Sequence, residues 1–256
     1  MIEAESWKCW VHEIRRIEFE RTIEQIPLGR DSAVLELGCG DGFQLRLLSK
    51  RFARVYAIDP EHRPSSASGF CFSVAEALPF PDCWFDLVVS CCVIEHMQDR
   101  RRALEEAVRV LKPGGWMAHI VPAVFWKATS LVLNPIGYPM SVVEKWRELQ
   151  KSKASRGLPG KALAADPRPG VATVLRRWIY PPVHGTYRSH LAELKAYSAS
   201  SWRRVFSHPE LQPVAQIALP ARTQFGFLRY KFLSVRQALG RHGFASSHAF
   251  ILRKVR

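Results

Sequence analysis

The sequence has no apolar run long enough to read as a membrane span. Its most apolar stretch, Trp116 to Met140, is interrupted by His119, Pro122, Lys127, Asn134 and Pro135, whereas a spanning helix needs about 20 consecutive apolar residues. A basic region followed by an apolar one is also missing at the start. The chain opens Met1-Ile2-Glu3-Ala4-Glu5, so no secretory signal is expected. The six cysteines form no C-x-x-C pair and no zinc spacing. No metal centre is therefore expected, and the thiols read as reduced groups in a cytoplasmic protein. There is no internal repeat and no low-complexity tract.

What is present fits one α/β core with insertions: 256 residues, 47% hydrophobic and 23% charged. Charge is divided unevenly. Residues 1–120 carry 15 Lys and Arg against 18 Asp and Glu, a net of −3. Residues 121–256 carry 22 against 5, a net of +17. An anionic substrate or partner would meet the second half; a solvated basic surface is the plainer alternative.

Helical spacing of Trp7, Trp10, Val11, Ile14, Ile17, Ile23 and Ile26 predicts an amphipathic helix ending near Pro27. Short apolar runs then alternate with helical stretches. Strands are predicted at 33–37, 55–58, 70–72, 85–89 and 116–121, with helices at 44–50 and 102–111. That alternation argues for a parallel sheet. From Pro122 to about Ser198 no long period is visible, and Lys151 to Gly170 has the composition of a mobile loop. A helix from Ala199 to Ser207 and strands at 213–219 and 248–252 follow.

The densest signal is Val34-Leu35-Glu36-Leu37-Gly38-Cys39-Gly40-Asp41-Gly42. A strand enters a glycine turn that opens a helix. Glycines permit positive φ and close ligand approach, and the helix start offers free N–H donors. Dinucleotide sites want G-x-G-x-x-G; here the third glycine comes one residue earlier, with Phe43 in its place. Asp59 ends the second strand, where a carboxylate accepts from ribose hydroxyls in adenosine-binding folds. Taken alone it is equally a turn aspartate.

Together with Asp59, the segments E-L-G-C-G-D-G, A-E-A-L-P-F-P-D-C-W-F-D-L-V and R-V-L-K-P-G-G resemble the class I S-adenosylmethionine-dependent methyltransferase family, in its type 11 small-molecule subgroup. The resemblance covers about residues 31–122. It implies a Rossmann-like, seven-stranded α/β sheet whose last strand is antiparallel, with S-adenosyl-L-methionine as cofactor. It places Glu36, Gly38 and Gly40 around the cofactor's methionine part, Asp59 on the ribose, and Ala75 and Glu76 beside the adenine. Cys92 and His96 would face the methyl-donor end. Two departures stand out: Val74 replaces a common aspartate, and only ten residues separate Asp59 from Phe70, which shortens or removes the intervening helix.

The implied organisation is an N-terminal helix (1–30), a cofactor-binding core (31–122 and 199–256) and an inserted substrate cap (123–198), with 220–245 adding to its wall. Phe125, Trp126, Tyr138, Trp146, Trp178 and Tyr180 would line an apolar pocket or simply form core. A hydroxyl acceptor must lose its proton, usually to a carboxylate or histidine; a carboxylate acceptor needs no base. His96 and His184 are the leading catalytic candidates, ahead of Tyr187 and His190, which shares a helix face with Glu193. The stretch H-G-T-Y-R-S-H-L-A-E-L-K-A-Y-S is similar to methyltransferases of bacterial surface-glycan and lipid-linked precursor pathways. The expected reaction is therefore O-methylation of a small or lipid-linked, anionic acceptor. The expected location is cytoplasmic, with peripheral contact to the anionic inner face of the membrane. Arg176, Arg177, Arg188, Arg203 and Arg204 are scattered among aromatics, which suits such a surface better than nucleic acid. An RNA methyltransferase and a non-catalytic cofactor-binding regulator are the competing readings.

Overall fold

The computed structural model describes residues 7–61, 69–136, 138, 178, 180–222 and 232–255. Seven strands form one sheet in the order β3-β2-β1-β4-β5-β7-β6. These are β1 (Ala33–Leu37), β2 (Arg54–Asp59), β3 (Phe70–Phe72), β4 (Phe85–Cys91), β5 (Leu111–Pro122), β6 (Leu211–Ala218) and β7 (Ser247–Lys254). β7 runs antiparallel to both β5 and β6, and the pairs from β3 across to β5 are parallel. The expected seven-stranded sheet with an antiparallel last strand is therefore present.

β1 is buried along its whole length. That is the signature of a central parallel strand with helices on both faces, and it explains the near-continuous apolar run Ala33-Val34-Leu35-Glu36-Leu37. Glu36 is the exception to that chemistry. The chain leaves β1 toward β2 and β3 on one side and returns as β4 and β5 on the other. The order thus reverses between β1 and β4, and the carboxyl ends of those strands flank the crevice where open α/β sheets bind ligands.

Helices α1 (Trp7–Ile23), α2 (Phe43–Arg51) and α3 (Arg100–Val110) accompany the parallel half. Residues 124–136 form α4. They are followed by α5 (His190–Ala196), α6 (Ala199–Val205) and α7 (Leu233–Leu239), which runs into a π-helical turn at Gly240–Phe244. α4 departs from the expectation that regular structure stops at Pro122. Trp202 of α6 is buried and donates its indole N–H to the Pro122 carbonyl at 2.9 Å, tying α6 to the end of β5. The predicted mobile loop at 151–170, together with Trp146, Arg176 and Arg177, lies outside the described residues, as does most of the short β2–β3 connection. Among the described residues, no helix is long and apolar enough to cross a membrane.

Candidate functional site

The glycine turn after β1 is built by backbone conformation. Gly38, Gly40 and Gly42 all adopt positive φ, at 69°, 49° and 75°. A Cβ on Gly38 would sit 2.6 Å from Val93 Cγ1, so the turn packs directly against the segment that follows β4. A Cβ on Gly40 would meet nothing within 4 Å; this edge of the turn faces open space. Asp59, at the end of β2, accepts the Gly40 N–H at 2.9 Å through Oδ2 and the Glu61 N–H at 2.9 Å through Oδ1. Its carboxylate thus fixes the turn.

Glu36 is buried, and its Oε2 has no hydrogen-bond partner among the described residues. Burial, reinforced by Cys91, Asp41 and Asp59, pushes its carboxyl up to about 8, with Arg15 acting against them. Arg15 and His12 come from α1, which the sequence shows only as an amphipathic helix. His12 stacks on Phe43 at 4.2 Å and places Nε2 3.1 Å from Asp41 Oδ2, so α1 is pinned over the glycine turn. His12 and Arg15, three residues apart, were the available signal. The open edge at Gly40, the unpartnered Glu36 oxygen and the Asp59 carboxylate together match the amine, methionine and ribose groups of S-adenosylmethionine.

Ala75 is buried, whereas the Glu76 carboxylate accepts the backbone N–H groups of Gln98 and Asp99 at 3.1 and 3.3 Å. Glu76 therefore ties the loop before α3, and its backbone carbonyl accepts from Arg102 Nε at 3.3 Å. Val74 is exposed. Cys92 adopts a φ of 55°, unusual for a side chain. Hydrogen bonding with Cys91, then burial, keeps its thiol protonated well above the usual range.

Beyond Val93, which packs on the glycine turn, the chain after β4 forms a short 3₁₀ turn, Ile94–His96. The segment containing His184 docks onto it. Gly185 has φ 74°, and a Cβ there would lie 2.5 Å from the Glu95 carbonyl oxygen. That approach lets Thr186 donate its N–H to the same carbonyl at 3.2 Å. Arg100 closes the joint. It donates to the carbonyls of Ile94 and Glu95 and to the Thr186 hydroxyl, and it lies over the Tyr187 ring at 4.8 Å. The result brings His184 to 4.6 Å from His96, ring to ring, and its Nε2 to 3.8 Å from Glu95 Oε1. The two histidines expected to be catalytic therefore meet, although 88 positions separate them in sequence.

Glu95 is the residue that sequence reasoning passed over. It is fully buried, yet neither carboxylate oxygen has a hydrogen-bond partner among the described residues. The Trp126 indole N–H and the Tyr187 and Tyr197 hydroxyls are likewise buried and unpartnered, and Trp126 lies 5.3 Å from His184. Burial raises both tyrosine pKa values, which keeps the hydroxyls as donors. Behind this group, Lys127 of α4 forms a buried ion pair with Glu193 at 2.6 Å. Glu193 also accepts the His184 backbone N–H at 3.2 Å. His190 approaches Glu193 at 3.6 Å on the expected helix face. A cavity of about 310 Å³ between α6 and β6, lined by Phe206, His208, Val214 and Leu252 among others, shares no residue with the glycine turn or with the Glu95–His96–His184 cluster.

Arg203 donates to Gln216 and Arg204 to Ser201, while Arg222 pairs with Glu18 on α1.

A titration test follows from Glu36. A carboxyl whose pKa rises on folding makes the native state bind the extra proton, so its burial lowers stability as pH climbs from about 4.5 toward 8. A cationic ligand beside it would restore the ionised form. At pH 7 binding should therefore release up to ~0.9 proton that Glu36→Gln does not release. Calorimetry in buffers of different ionisation enthalpy measures the difference. Equal proton release by the two proteins would place Glu36 away from the ligand's charge.

A family model described as a methyltransferase domain matches residues 35–119. A tRNA (carboxymethyluridine(34)-5-O)-methyltransferase of Arabidopsis thaliana is 33% identical over 132 residues, covering 48% of this chain and 32% of its own length. An uncharacterized methyltransferase of Mycobacterium bovis is 30% identical over 136 residues, 47% of this chain and 68% of its own. The structure of geranyl diphosphate C-methyltransferase from Streptomyces coelicolor, in complex with S-adenosyl-L-homocysteine among other ligands, superposes with a TM-score of 0.55 at 15% identity. That match covers all of this chain and 86% of the other, and it establishes the shared fold. The chain spans less than half the length of the Arabidopsis protein and of several other curated methyltransferases that it matches.

Proposed function

Because this chain belongs to the class I S-adenosylmethionine-dependent methyltransferases, we propose that it methylates a hydroxyl group of a small or lipid-linked acceptor held over Glu95, His96 and His184. When bound, S-adenosylmethionine supplies a methyl group already activated on a sulfonium sulfur. The protein's task is to align the acceptor, exclude water and dispose of one proton. Glu36, Gly38, Gly40, Asp59 and the Ala75–Glu76 backbone hold the cofactor, and Cys92 borders its reactive end. His96 and His184 are the catalytic residues at which the hydroxyl loses its proton. With that proton held on an imidazole, the hydroxyl oxygen would be ready to take the methyl group that the cofactor supplies.

The observation that carries this reading is the docking of His184-Gly185-Thr186 onto the turn after β4, which joins two imidazoles and a buried carboxylate. The Trp126 and Tyr197 donors, unpartnered among the described residues, suit an acceptor rich in hydroxyl groups. A precursor of a bacterial surface glycan fits that chemistry, and the basic second half suits an anionic carrier or the anionic face of a membrane. The same charge, with the activity named for the Arabidopsis relative, supports RNA as the second reading.

Transfer of labelled methyl groups to envelope, quinone and RNA fractions separates these readings. Label is expected in the glycan or lipid-linked envelope fraction. Label in RNA, with binding that falls steeply with salt, would establish the second reading. Cofactor binding without transfer to any fraction would leave a regulator.

A further inference from the structure

The cluster after β4 has the make-up of a metal site. Glu95, His96 and His184 each direct one donor atom into a common space, and the three atoms lie within 4.8 Å of one another. An ion bound at about 2.0–2.2 Å by each would bring such atoms to roughly 3.3 Å apart in a tetrahedral arrangement. From separations of up to 4.8 Å, the cluster needs a contraction of up to about 1.5 Å to reach that geometry.

A second observation points the same way. Glu95 is completely buried, and both its oxygens lack hydrogen-bond partners among the described residues. The adjacent cation does not answer it, because Arg100 is committed to backbone carbonyls, to Thr186 and to the Tyr187 ring. A buried carboxylate left this way calls for a positive charge within reach. The supports are those of a held ligand set. Gly185 and Thr186 lock the His184 segment to the Glu95 backbone, and Glu193 fixes the His184 N–H. Cysteine spacing could not reveal this set, since its members stand at positions 95, 96 and 184.

We propose that Glu95, His96 and His184 bind one divalent transition-metal ion of the zinc class. Two imidazoles and one carboxylate favour such an ion over magnesium or calcium, which take oxygen ligands. Three protein ligands leave a position open toward the acceptor. The proposal deepens the reading that this cluster faces the acceptor. A metal-held hydroxyl gives up its proton to solvent more readily than a free one, and the two histidines then act as ligands.

The test uses the full chain, stripped with chelator and titrated with Co²⁺ and then Zn²⁺, without acceptor. One Co²⁺ per chain is expected, with visible d–d bands that Zn²⁺ abolishes. His184→Ala and Glu95→Gln should each weaken Co²⁺ binding by at least ~100-fold, since even supporting residues of metal sites matter 10- to 100-fold. S-adenosylhomocysteine affinity, measured on the same samples, should hold and so report intact folding. No stoichiometric uptake at millimolar metal, or equal uptake by His184→Ala, would overturn the proposal. Full methyl transfer by the stripped chain would remove the metal alone and leave the histidines as bases.

Discussion

Asp59→Ala is expected to weaken S-adenosylmethionine binding by about 10- to 150-fold, the loss of roughly 1.5–3 kcal/mol typical of hydrogen bonds to a charged group. Two losses coincide in this variant. The ribose hydroxyls lose their acceptor, and the N–H groups of Gly40 and Glu61 lose theirs. The second loss loosens the glycine turn itself, so S-adenosylhomocysteine should weaken in parallel. Asp59→Asn retains one acceptor oxygen and should fall between the two proteins. The acceptor's KM should change little, because Asp59 lies at the end of β2, across β1 from β4. Calorimetry settles the matter, and unchanged affinity in Asp59→Ala would remove Asp59 from the site.

The part of the fold that carries the glycine turn was legible because its signals are local. Strand, glycine turn and helix follow one another within Val34 to Arg51, and positive φ at three glycines is a demand that sequence shows directly. Asp59 and the Pro113-Gly114-Gly115 stretch carry comparable short-range marks. The cluster around Glu95 and His184 depends on contacts between distant residues, and the local pattern of α4 behind it is inverted. In α4 the polar residues Lys127, Ser130 and Asn134 are buried, while Val124, Val132 and Ile136 are exposed. A helix that turns its polar side inward defeats a search for apolar periodicity. Its reason appears only in three dimensions, where Lys127 meets Glu193. Glu95 was hidden for a similar cause, since a glutamate in a turn gives no sign that it will be fully buried. Gly185 was visible as a glycine, but its use, a 2.5 Å approach to the Glu95 carbonyl, requires the partner to be known.

That approach sets up the largest effect expected on turnover. His184→Ala should lower kcat by about 10²- to 10⁴-fold, the usual contribution of a positioned proton-transfer group, while S-adenosylmethionine affinity stays within about threefold. Gly185→Ala should lower kcat as well, by at least ~10-fold, although it removes no functional group. Its methyl would strike the Glu95 carbonyl, and a positive φ disfavours any side chain. The His184 segment must then lift from the turn, breaking the Thr186 and Arg100 contacts that hold it. Displacing a catalytic group by an ångström is enough for a loss of this order. Steady-state kinetics with cofactor binding measured alongside tests both variants. If His184→Ala turns over at the wild-type rate, the acceptor needs no help in losing a proton, which points to a carboxylate in place of a hydroxyl. If Gly185→Ala alone is fully active, the docking of His184 onto Glu95 has no part in the reaction.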